Sequence, residues 1–213
     1  MKLLSAIFLF FSSIATLTAQ TNTLPNRANI VFGVGQIVQS GFNIEGNIFY
    51  RRLAVDYSHG VSLNVSNAML EEGADKAQGL DIHLPWTTGF GVGYHVNDVI
   101  NFRVEPKWHQ FELYQTGAAQ IEANRLGEYT TFTLGLGLYA NWLPFKNKES
   151  WLKGIMIAPN VRWWPRISST LENNELRYFN QLTEREEVHT AREIGIGNSP
   201  FFYNFSVGYS IEF

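Results

Sequence analysis

The sequence predicts an all-β protein, an eight-stranded antiparallel up-and-down transmembrane β-barrel spanning residues 28–213. Three observations carry that reading. Apolar and polar residues alternate with period two in eight separate runs, and such alternation marks strands with two unlike faces. Most runs match the roughly 9–11 residues that a tilted strand needs to cross a bilayer. The connections are mostly alternately short and long, and aromatic residues gather near the run ends, as in bacterial outer-membrane barrels.

Residues 1–19, MKLLSAIFLFFSSIATLTA, place a lysine ahead of a short apolar stretch and small residues. They read as a secretory signal peptide, followed by a short lead over residues 20–27. The 213-residue chain has no cysteine and a net charge of −3. An exported chain of this kind is held by packing or by a closed hydrogen-bonded sheet rather than by disulfides, and nothing in its charge points to nucleic acid.

The first predicted strand, 29–37, sets Ile30, Phe32 and Val34 against Val31, Gly33 and Gly35. The second, 42–50, sets Ile44, Ile48 and Tyr50 against Asn43, Glu45 and Asn47. The third, 53–63, places Leu53, Val55, Tyr57 and Val61 opposite Ala54, Asp56, Ser58 and Ser62. The fourth, 86–96, opposes Trp86, Phe90, Val92 and Tyr94 to Thr87, Gly89, Gly91, Gly93 and His95. The fifth, 100–113, has the sharpest alternation: Phe102, Val104, Pro106 and Trp108 against Arg103, Glu105, Lys107 and His109. The sixth, 129–142, sets Phe132, Leu134, Leu136, Leu138 and Trp142 opposite Thr131, Thr133, Gly135, Gly137 and Asn141. The seventh, 152–167, sets Ile155, Ile157, Val161 and Trp163 against Ala158, Asn160 and Arg162, and the eighth covers 201–213. Pro106 and Pro159 fall inside runs and are expected at bulges.

Links 51–52, 97–98 and 143–151 are short, whereas 64–85, 114–128 and 168–200 are long and polar; 39–41 is a tight exception. A soluble barrel or sandwich would share the alternation. It would not explain the long runs, the aromatic ends (Trp86, Trp108, Trp142, Trp163, Tyr50, Tyr94) or a glycine-rich charged face that suits a lumen.

The chain ends on Phe205, Val207, Tyr209, Ile211 and Phe213, alternating with mostly small or polar residues. This stretch resembles the insertion signal of bacterial outer-membrane proteins, and the whole pattern resembles the small barrels of the OmpA-barrel, OmpX and OmpW type, here without a periplasmic domain. The resemblance implies export to the outer membrane, contact with its lipid and lipopolysaccharide, handling by the outer-membrane assembly machinery, and a monomer.

With polar faces inward, Glu45, Asp56, Arg103, Glu105, Lys107 and Arg162 form an expected lumen charge network. A turn centred on Asp98 pairs Gly93 with Arg103 and Gly89 with Lys107; pairing Leu113 with Tyr129 sets Gly135 against Lys107 and Gly137 against Glu105. No enzyme is expected. The deacylase family PagL, small barrels acting on lipid A, carries His-x-Ser-Asn-Ala, but Ser66-Asn67-Ala68 here follows Asn64 instead of histidine. Asp56, His59 and Ser62 do not make a triad, because Asp56 and His59 have opposite parity. The five histidines show no metal spacing and read as interfacial or polar-surface residues; no cofactor is expected. The expected role is therefore structural or surface-interacting, through acidic outer loops that meet an extracellular partner. A narrow channel or a carrier for a small hydrophobic molecule is the alternative.

Overall fold

The computed structural model describes residues 24–194 and 198–213. The predicted leader therefore lies outside the described residues. Eleven strands form: β1 (Arg27–Gly33), β2 (Phe42–Tyr50), β3 (Leu53–Val65), β4 (Leu80–His95), β5 (Ile100–Gln115), β6 (Arg125–Ala140), β7 (Ile155–Trp163), β8 (Arg166–Ser169), β9 (Glu175–Asn180), β10 (Arg185–Thr190) and β11 (Phe201–Glu212). Two short helices, α1 (Val34–Val38) and α2 (Ala74–Ala77), lie in links.

Neighbours in sequence pair antiparallel from β1 round to β7, β11 pairs with β7 and with β1, and the sheet closes as an eight-staved barrel. The seventh stave is split. β7 pairs with β6 over Leu136–Tyr139, and β8 resumes the same wall after Trp164 and Pro165. Proline has no N–H for the ladder, yet Pro106 and Pro159 sit in continuous register opposite Leu134 and Phe205 and not at the expected bulges; the wall breaks at Pro165. Leu134 N instead donates to Pro165 O at 3.3 Å, and Trp164 N donates to Pro200 O at 2.6 Å.

The alternation sorts faces as the pleat requires. Leu134, Leu136 and Leu138 are exposed outside, and Arg103, Glu105 and Lys107 are buried inside. The first predicted strand is too long, because residues 34–37 turn into α1. Gln39 N and Gly41 N both donate to Gln36 O, and Ser40 adopts a positive φ of 56°, so the helix makes the reversal that a tight link needs.

The walls are uneven. β4, β5 and β6 each run 16 residues and β3 runs 13, while β1 has 7 and β2 and β7 have 9. The extra length rises at the end bearing the long links. There the inward face changes character. Ser62 takes a φ of 54°, and the β4–β5 register shifts between His83 and Thr87. Past these irregularities Leu63, Val65, Ile82, Leu84, Phe111, Leu113 and Tyr129 point in and form an apolar cluster with Leu70 and Ala191. On β3 and β4 alternation did not predict this upper core, because the irregularity swaps the faces there, whereas Phe111, Leu113 and Tyr129 keep the inward parity of their strands.

The third long link contains the β9–β10 hairpin, where the sequence predicts only loop. The Asp98-centred register holds, with Gly93 opposite Arg103 and Gly89 opposite Lys107. The β5–β6 register is two residues from the expected one. Arg103 meets Gly137, Glu105 meets Gly135, and Leu113 meets Gly127. A shift of two keeps every side chain on its face.

Candidate functional site

The lower lumen is packed around β5. Arg103 Nη1 donates to Glu45 Oε1 at 2.5 Å on β2 and to Asp56 Oδ2 at 3.2 Å on β3, while its Nε donates to Asn101 Oδ1 at 2.8 Å. Two residues along, Glu105 accepts the Tyr139 hydroxyl, with Lys107 Nζ at 3.7 Å and Arg162 Nε at 3.9 Å. The guanidinium of Arg103 lies 4.0 Å from the Tyr139 ring centre, and Lys107 Nζ lies 4.6 Å from that of Trp164. Glycines make the room: a Cβ on Gly135 would collide with the Trp164 indole, and one on Gly91 with the Asp56 carboxylate.

Geometry thus brings together Glu45, Asp56, Arg103, Glu105, Lys107 and Arg162, all buried. Three acids and three bases cancel, as burial of charge demands. Tyr139, Asn101 and Trp164 complete the network and were not singled out from sequence. The signal for Tyr139 was available, since it shares inward parity with Gly135 and Gly137. Glu45, Asp56 and Glu105 have carboxylate oxygens within 4.8 Å of one another, the metal-capable set among the described residues. Arg103, Lys107 and Arg162 already neutralise them.

The space left is small. One gap beside Glu45, Arg103 and Tyr139 measures about 10 Å³, and one between Lys107, His109, Trp164 and the upper apolar cluster about 50 Å³. The second has room for water molecules and not for a drug-sized ligand.

Above the apolar cluster, the β9–β10 hairpin is clasped to the first long link. Asp75 on α2 accepts His189 Nδ1 at 2.8 Å and Arg192 Nη1 at 2.5 Å. Tyr129 OH lies 3.0 Å from His189 Nε2, and Asn180 Nδ2 donates to Gln78 O at 2.8 Å. Burial raises the Asp75 pKa, but the hydrogen bond and charge of His189 and then the Arg192 cation outweigh it and hold the carboxyl below its ordinary value. The histidines depart from the expectation of polar-surface positions. His95, His109 and His189 are buried, because their parity or their link turns them inward. His109 is held between Thr87 Oγ1 at 2.6 Å and Thr133 Oγ1 at 2.9 Å.

On the outer wall, Phe205, Val207, Ile211 and Phe213 are exposed and Tyr209 is half-buried, its hydroxyl donating to Trp151 O. Tyr50 and Trp142 face out at the short-turn end, Trp108 and Trp163 toward the long-link end. Asp56 points inward and His59 outward, as their parity requires. No known protein family, curated protein or solved structure matches the chain.

Proposed function

We propose that the protein is an integral outer-membrane barrel, a monomer that works from its loop end and outer wall while its packed lumen serves as support. The observation that carries this is the outer belt. Val55, Val92, Phe102, Val104, Leu136, Leu138, Val161 and Val207 are 42–54% exposed, while the six lumen charges are at most 7% exposed. In water such a belt would far exceed the few hundred Å² of apolar patch that soluble monomers carry. In lipid it is the expected exterior, and closure of the sheet satisfies the backbone. Edge strands are absent from the eight-staved wall, which favours a single barrel over assembly through β-edges.

The likeness to the OmpA-barrel, OmpX and OmpW group extends, in this reading, to the location: the belt meets lipid and lipopolysaccharide, the alternation of Phe205 to Phe213 is read by the assembly machinery, and the clasped hairpin with exposed Phe179, Leu182 and Val188 faces an extracellular partner. A conducting or carrying lumen is the weaker reading. Neutral charge pairs fill the lower half, and the chain's own side chains fill the apolar upper half. Fractionation of cells making the full chain, with gel mobility compared before and after boiling, tests the proposal. Outer-membrane recovery with a heat-dependent shift is expected. Recovery as a soluble periplasmic protein without the shift would overturn it.

A further inference from the structure

Three polar side chains outside the barrel carry a geometry that the lumen does not need. Ser62 on β3, His83 on β4 and Glu112 on β5 face outward from adjacent strands, in registers that set His83 opposite both Asn64 and Glu112. His83 Nδ1 lies 3.0 Å from Glu112 Oε2, and His83 Nε2 lies 3.5 Å from Ser62 Oγ. Glu112 is fixed in turn, accepting Tyr114 OH at 2.9 Å and Arg125 Nη1 at 2.8 Å. A carboxylate has no proton to give at neutral pH, so His83 donates through Nδ1 and keeps Nε2 as an acceptor toward the serine hydroxyl.

Ser62 is exposed and has the left-handed φ of 54°. Non-glycine residues held there collect at functional sites. An ion-pair cluster trimming the rim accounts for Glu112 and Arg125. The φ of Ser62 is also the irregularity that turns Leu63 inward, but neither that turn nor the ion pairs call for a solvent-facing hydroxyl 3.5 Å from His83 Nε2.

We propose that Ser62, His83 and Glu112 form a hydrolytic site for carboxylic esters of acylated lipids, with Ser62 as nucleophile, His83 as general base and acid, and Glu112 as the residue positioning His83. The location selects the substrate class. Val61, next to Ser62, pairs with Trp86, and the rings of Trp108 on β5 and Phe132 on β6 meet in a tilted contact, 5.1 Å between centres. The site lies just on the long-link side of this aromatic group, and aromatic girdles mark the membrane interface, where acyl ester linkages of lipids lie. That part of the inference rests on the membrane reading above. The nucleophile does not.

The reaction balances without a cofactor. Ser62 Oγ bonds to the ester carbonyl carbon as its proton passes to His83 Nε2; the carbon–alkoxide bond breaks and the leaving oxygen takes that proton. Water, deprotonated by the same nitrogen, then splits the acyl-serine into fatty acid and free serine. Asn64, the next outward residue on β3, accepts Gln120 Nε2 through Oδ1 at 2.9 Å, and its own Nδ2 has no acceptor among the described residues. Two residues from Ser62 on the same strand, it is the candidate donor to the oxyanion in this proposal. Ser62 meets His83 across the ladder rather than His59 on its own strand, a pairing that parity along β3 does not reveal.

The test is a fluorophosphonate probe on the refolded full chain in detergent, with folding checked by the heat-dependent gel shift. Labelling that maps to Ser62 is expected, lost in Ser62→Gly, which suits the left-handed backbone, and slowed about 10²–10⁴-fold in His83→Gln. Glu112→Gln should slow labelling and also change its pH profile, which a merely structural role would leave alone. A folded protein that the probe does not label, or labelling indifferent to His83, overturns the site. Labelling in detergent without fatty-acid release from phosphatidylethanolamine or lipopolysaccharide vesicles overturns the lipid substrate while leaving the nucleophile standing. Failure to enter membranes at all would refute the barrel's proposed location instead.

Discussion

Arg103→Met isolates the cost of the lumen network. The substitution keeps an unbranched side chain against Tyr139 and Phe49 and removes the cation shared by Glu45 and Asp56. Three charge-assisted hydrogen bonds vanish, to Glu45, Asp56 and Asn101, each worth about 1.5–3 kcal/mol before the partners relax. The carboxylates stay buried in the closed wall, so little is regained from water. The expected loss is about 3–5 kcal/mol, the range for a buried pair deprived of one partner. Removing one acid with the base, in Asp56→Asn/Arg103→Met, should recover part of that loss, since Glu45 and Glu105 then again balance Lys107 and Arg162. Urea unfolding in phospholipid vesicles, followed by tryptophan fluorescence, measures both. A single variant that loses less than about 1 kcal/mol, or a double variant less stable than the single one, would refute this account.

Leu136→Arg puts a charge on the outer belt at mid-wall and should cost about 2–4 kcal/mol of stability in vesicles; an unchanged or improved stability would mean that water touches that face. Gly135→Val drives a methyl into the Trp164 indole, whose Nε1 donates to Glu105 O at 3.2 Å. Overpacking of this kind costs about 1–3 kcal/mol, read as a lower unfolding midpoint together with a shift in tryptophan emission. The Asp75 clasp should respond to acid. Its folded pKa lies below the ordinary 3.8, so its contribution is complete above 3.8 and fades as pH falls through the folded value. Limited proteolysis should cut the β9–β10 hairpin faster under those acid conditions, and Asp75→Asn should show the faster cutting already at pH 7, with no further acid step.

The faces of the barrel were legible because parity is local. Leu134, Leu136 and Leu138 needed only their own strand to be assigned outward. The Asp98 turn was short enough to fix a register, whereas the nine residues between β5 and β6 were not, and the pairing there moved by two. Three features were hidden. The helical turn over Val34–Val38 looks like continued alternation until Gln36 O is seen collecting two donors. The β3 and β4 sides of the apolar upper lumen depend on backbone irregularities at Ser62 and between His83 and Thr87, which side-chain patterns do not announce. The outer Ser62–His83–Glu112 set joins three strands over 50 residues, and only the assembled ladder brings it together.

Arg27 and Glu212 are 185 positions apart, yet their side chains bond at 3.1 Å where β1 meets β11. Until the last stave arrives, the first one presents an open row of backbone donors and acceptors along its whole length. Closing the ring joins the two ends of the barrel sequence, and the entropy of joining such distant segments grows only logarithmically with the length between them. A newly made chain must therefore be kept from pairing with strangers until both partners of that seam have been made.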